Sequence, residues 1–93
     1  MGGAIVFRWN EWNLDHATIH GLAQWECEYL VEHSRSPYPE YVGEGKYLVL
    51  GQLPDGMYAQ VIFIYSPPGV VYVVHARPST DRERRRFRRR RRP

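Results

Sequence analysis

Residues 57–65, Met57-Tyr58-Ala59-Gln60-Val61-Ile62-Phe63-Ile64-Tyr65, are apolar along both alternating sets of positions. Met57, Ala59, Val61, Phe63 and Tyr65 form one set, and Tyr58, Ile62 and Ile64 dominate the other. Successive strand residues point to opposite faces, so a segment of this kind belongs at the centre of a sheet with cover on at least one face. Two further apolar segments flank it, Lys46 to Leu53 and Val70 to His75, joined through Pro54-Asp55-Gly56 and Pro67-Pro68-Gly69. Those connections are turn sequences, and three segments linked in this way predict an antiparallel meander.

The cover is expected from the N-terminal third. Ala4 to Trp9 reads as a short strand, because Ile5, Val6 and Phe7 favour extended backbone. Asn10 then suits a helix N-cap with Glu11 in the first turn, and the helix is predicted to run to about His20, where Gly21 accepts a left-handed conformation. Trp12, His16, Ile19 and His20 share a face of it at three- and four-residue spacing. A second helix is predicted from Ala23 to His33, poorly capped because Ala23 has no side-chain oxygen. Residues 34–45 read as loop from their Pro, Gly and Ser content.

Thr80-Asp81-Arg82-Glu83 fits a Thr-x-x-Glu capping box, which satisfies two amide donors at a helix start, and Pro78 stops the preceding strand. The last helix is expected to begin at Asp81, with order fading after about Phe87 because consecutive arginines repel one another. The predicted order β-α-α-β-β-β-α is an α+β fold, a three- to four-stranded, mostly antiparallel sheet covered by the two N-terminal helices. It assigns residues 1–87 to one domain and residues 88–93 to a disordered arginine-rich tail.

Charge is divided along the chain. Residues 1–80 carry four basic and eight acidic side chains, whereas residues 81–93 carry nine and two. An acidic body with a basic end points to a polyanionic or acidic partner. Cys27 is the single cysteine, which excludes an internal disulfide and a cysteine-based zinc site. The N-terminal apolar run is too short for a signal peptide or a membrane span, so a cytoplasmic bacterial protein without membrane attachment is expected.

Four blocks appear in a definite order: Phe7-Arg8-Trp9-Asn10, Asn13-x-x-His16-x-x-x-His20-Gly21, Gly45-Lys46-Tyr47-Leu48-Val49-Leu50-Gly51, and Ala76-Arg77-x-x-Thr80-x-x-Glu83-Arg84. The set resembles the BrnT-type toxins, small RelE-fold ribonucleases of type II toxin–antitoxin systems. The resemblance implies a RelE-like fold, cleavage of RNA without metal or cofactor, and neutralisation by a ribbon-helix-helix antitoxin. The chain departs from the pattern at Phe87, where such sequences usually carry Tyr, and at the end of the last motif, where arginine replaces an acidic residue.

Metal-free RNA cleavage needs a base for the ribose 2′-hydroxyl, cations for the phosphate and an acid for the leaving oxygen. Arg77 and Arg84 are candidates to converge on a phosphate beside the capped helix start; the alternative is that Arg77 pairs with a carboxylate and Arg84 is solvated. His16 and His20, four apart, are a candidate acid–base pair or two residues with local structural roles, and they are too few for zinc. Lys46, Thr80, Arg85 and Arg88 are candidate RNA contacts. Glu83 is assigned to the capping box, His75 to packing beside Val71 and Val73, and Trp9, Trp12 and Trp25 either to the core or to base stacking. Two functions follow. The chain is either a toxin ribonuclease or a non-catalytic module of the same fold that holds nucleic acid or an acidic protein partner through its arginines.

Overall fold

The computed structural model describes residues 5–91. Its elements are β1 (Val6–Phe7), α1 (Glu11–Thr18), α2 (Gln24–Glu32), β2 (Glu40–Gly43), β3 (Lys46–Gln52), β4 (Tyr58–Ser66), β5 (Val70–Pro78) and α3 (Asp81–Arg91). The strands form a sheet in the order β1-β5-β4-β3-β2. β4 is central, as its two apolar sets require, and β3, β4 and β5 are the expected meander. β1 joins β5 in parallel, with Val6 opposite Val70 and Phe7 opposite Val71.

One face of the sheet carries Val49 of β3, Ala59, Val61 and Phe63 of β4, and Val71, Val73 and Ala76 of β5, all buried in the core with Ala17 of α1 and Cys27, Leu30 and Val31 of α2. A Cβ on Gly51 would lie 3.0 Å from Leu30 Cδ2, so the glycine permits the close approach of α2. Burial pushes the Cys27 thiol up to about 12, and the nearby carboxylates of Glu26 and Glu28 add to this, which makes it a core residue without nucleophilic character.

The other face is read from the strand register as four ranks: Gln52 with Tyr58, Leu50 with Gln60 and Arg77, Leu48 with Ile62 and His75, and Lys46 with Ile64 and Tyr72. α3 lies over the first two ranks. Phe87, 5% exposed, meets the rings of Tyr58 and Tyr38, and beneath this helix Leu50 and Gln60 are 2% and 7% exposed. Among the described residues no helix crosses the last two ranks, and their side chains are partly exposed.

The structure corrects the expectations at several points. Residues 34–45 include strand β2, an edge strand whose Tyr41 pairs with Tyr47, so the sheet has five strands and not three or four. Glu44 turns the hairpin at φ 58° between two positive-φ glycines, Gly43 and Gly45. α1 ends at Thr18, two residues before the predicted end, so His20 lies in the turn beyond it. α3 continues through Arg91, four residues past the point where order was expected to fade. Arginine is a good helix former, and Phe87 anchors the turn from which these residues extend. Arg92 and Pro93 of the expected tail lie outside the described residues.

Helix starts behave as their caps dictate. Asn10 and Asn13 form a reciprocal box, Asn10 Oδ1 accepting from Asn13 N–H at 3.0 Å and Asn13 Oδ1 from Asn10 N–H at 2.7 Å. Thr80 and Glu83 form the predicted box at 3.2 and 3.0 Å. At α2 only half of one exists, since Glu26 accepts from Ala23 N–H but Ala23 has no oxygen to return.

Candidate active site

A β-bulge creates the site. His75 pairs with Ile62 and Val73 with Phe63, so Val74 is an extra residue in β5 and the alternation inverts beyond it. Val71, Val73 and Ala76 face the helices, while Tyr72, His75 and Arg77 line up on the opposite face. The expected placement of His75 beside Val71 and Val73 in the packed layer is thereby overturned. Ala76 was the available signal, because a small buried residue falls out of step with the preceding valines.

His75 borders a shallow groove of about 550 Å³ over the two open ranks, together with Lys46, Ile62, Ile64, Tyr72 and Trp12. His20, in the turn after α1, does not line the groove but sets its ring 5.5 Å from that of His75, edge-on. Burial, and then the neighbouring His20 and Arg77, lower the His75 pKa below the ordinary histidine value of 6.5, so the ring is neutral at neutral pH. His16 does not join this pair. Its ring stacks on Trp12 at 3.8 Å, and its Nδ1 lies 2.7 Å from the Trp12 carbonyl oxygen.

Arg77 lies at the junction of the open groove and α3. It donates to both carboxylate oxygens of Glu83, at 3.0 Å from Nη1 and 2.6 Å from Nη2, and Nη1 also donates to Pro78 O at 3.1 Å. Among the described residues these three bonds leave two of the five guanidinium N–H donors for another acceptor. Glu83 therefore does more than cap α3. Burial pushes its carboxyl up, but the hydrogen bonds from Arg77 and Thr80 and the Arg77 charge outweigh that, and the net pKa falls below the ordinary carboxylate value.

The other predicted residues separate from this centre. Arg84 pairs with Asp81 at 3.2 Å and lies 5.6 Å from the centre of the Tyr58 ring, on the side of α3. Arg85 and Arg88 are exposed on α3, as is Thr80 at its start. Lys46 sits at the far end of the groove, 3.6 Å from the exposed Glu44 carboxylate. Of the tryptophans, Trp9 is partly buried and donates to Glu28 Oε2 at 2.7 Å, whereas Trp12 is 51% exposed and Trp25 57%. The core placement therefore fails for those two. Phe87, at the position where tyrosine was expected, is packed beneath α3 and does not line the open groove. Sequence reasoning missed Tyr72 and Tyr58.

No protein-family model matches the chain and no curated protein matches it in sequence. In structure it is similar to the ribonuclease toxin BrnT of Brucella abortus, whose crystal structure superposes with a TM-score of 0.64 at 14% sequence identity, covering 84% of this chain and 97% of that one. The likeness spans most of each chain. This chain has the fold of a BrnT-type toxin.

Proposed function

We propose that the chain is the toxin of a type II toxin–antitoxin pair, an endoribonuclease that works in the cytoplasm without a metal ion and is neutralised by a ribbon-helix-helix antitoxin. The observation that carries this reading is a neutral His75 set beside His20 and Arg77 on the sheet face opposite the packed core. The likeness to a ribonuclease toxin supports it, although a fold by itself does not specify chemistry.

In the proposed reaction His75 takes the proton of a ribose 2′-hydroxyl. The 2′-oxygen attacks the adjacent phosphorus, the bond from phosphorus to the 5′-oxygen breaks, and His20 in its imidazolium form protonates that oxygen. Products are a 2′,3′-cyclic phosphate and a 5′-hydroxyl. The two free donors of Arg77 steady the pentavalent phosphate, with Lys46 holding the strand further along. His16 supports the groove wall through Trp12, and Arg84, Thr80, Arg85 and Arg88 make outer contacts to the backbone.

Purified protein incubated with end-labelled single-stranded RNA and EDTA tests this reading. The expected result is cleavage leaving cyclic-phosphate ends, lost in His75→Gln and Arg77→Ala and retained, with weaker RNA binding, when residues 88–93 are deleted. Intact RNA after prolonged incubation overturns the nuclease.

A second reading, a binding module without catalysis, is favoured by one feature. Arg85, Arg88 and Arg89 are exposed along the helical part of the basic end. It predicts RNA affinity that falls steeply with salt and collapses on deletion of residues 88–93, because each neutralised phosphate releases counterions.

A further inference from the structure

Trp12 is a large aromatic ring left half exposed, yet it is held in one orientation. His16 stacks on it at 3.8 Å with planes 17° apart, and the Tyr72 ring lies 6.4 Å from it with planes 12° apart. Tyr72 is itself fixed, its hydroxyl donating to Asn10 Oδ1 at 3.3 Å, and Asn10 is clamped by the capping box of α1. The result is a near-parallel set of rings at one wall of the groove. Its floor is Ile62, Ile64 and Val74, and Lys46 stands at the same end.

We propose that this wall is a base-stacking subsite for one unpaired nucleotide of a single-stranded RNA, with Trp12 and Tyr72 holding the base next to the bond that reaches His75. Every nucleobase offers a flat π-face, and an exposed, oriented aromatic ring beside a cation suits a base together with its phosphate. Charge complementarity favours this occupant, since Lys46 and Arg77 stand at either end of the open ranks and the apolar floor excludes water from the base. The Lys46 pair with Glu44 is exposed and weak, so a phosphate can displace it. A duplex cannot present its bases to this wall. The subsite rests on RNA being the ligand, and it selects the unpaired strand.

The test uses the full chain and a short single-stranded oligoribonucleotide carrying 2′-O-methyl groups, which binds but cannot be cleaved, followed by fluorescence anisotropy. Trp12→Ala is expected to weaken binding about tenfold, Trp12→Phe to keep most of the affinity, and Trp25→Ala, on the exposed side of α2, to leave it unchanged. A duplex of the same length is expected to bind more weakly and with no dependence on Trp12. Circular dichroism of each variant checks the fold, and if Trp12→Ala unfolds, Trp12→Phe against Trp12→Leu makes the same comparison. Wild-type affinity in folded Trp12→Ala or Trp12→Leu overturns the subsite. So does equal loss with the duplex, or displacement of the RNA by polyglutamate to the same extent in wild type and Trp12→Ala. If Trp12-dependent binding is present but unmodified RNA stays intact, the nuclease reading falls and the subsite stands. Cleavage of unmodified RNA with unaltered Trp12→Ala binding does the opposite, removing the subsite and keeping the nuclease.

Discussion

The second face of the sheet has two halves built from the same strands and put to opposite uses. Under α3, Arg77 is clasped by a carboxylate, and Leu50, Gln60 and Phe87 are sealed from solvent. In the open half His75, Tyr72 and Trp12 are held in place but left accessible. Charge alone does not distinguish them, since each contains a cation beside an acidic group. What distinguishes them is cover: α3 crosses one half, whereas among the described residues the other is only bordered by Trp12 of α1. The covered half adjoins the open one through β5, where Arg77 under α3 is the next residue on that face after His75.

The largest expected effect comes from opening the covered half. Phe87→Ala should cost about 3–5 kcal/mol in urea unfolding, the usual range for a buried aromatic truncated to alanine. Loss below about 1 kcal/mol would mean that α3 is not held through this ring. Next comes His75→Gln, expected to reduce cleavage at least about a hundredfold while shifting stability little. Its pH signature is specific. Because the folded pKa of His75 is depressed, its contribution to stability is present above about 6.5 and is lost as pH falls through the lower folded value. Urea midpoints measured from pH 7.5 to 4.5 should show that decline in wild type and a shallower one in His75→Gln.

Glu83→Gln removes the carboxylate that clasps Arg77, at a cost of about 1–2 kcal/mol at pH 7. The sign again follows from a lowered folded pKa. Stability from Glu83 is present above the ordinary carboxylate value of 4.5 and is lost as pH falls through its lower folded value, so the variant should flatten the acid end of the stability profile. An unchanged acid limb would break the idea that the covered half is pinned electrostatically. The smallest effect is reserved for Lys46→Ala. Its exposed ion pair predicts a stability change within about 0.5 kcal/mol, together with a measurable loss of RNA affinity, and a large stability loss with intact binding would reverse its assignment.

Much of this frame was legible in local sequence. Both apolar sets of β4 required a central strand, the Pro and Gly turns required the meander, and Asn10 and the Thr80-x-x-Glu83 pair marked two helix starts that the structure bears out. β2 was hidden because Pro39, Gly43 and Gly45 read as loop, although Tyr41 and Val42 between them favour a strand once β3 supplies a partner. The end of α1 at Thr18 moved His20 out of helical phase with His16. No local pattern reports that, since helix ends are decided by what the next segment packs against.

The sequence by itself determined the central strand, the meander around it and where α1 and α3 begin, because side-chain alternation and amide capping act over a few residues. Only the tertiary structure decided which titratable groups meet. The single extra residue at Val74 turned His75 and Arg77 to the face of Tyr72, the turn after α1 brought His20 to His75, and α3 folded back to set Glu83 on Arg77. His20 and His75 are far apart in the chain, Glu83 reaches Arg77 only across the start of α3, and a bulge that shifts register by one residue reverses the facing of everything after it.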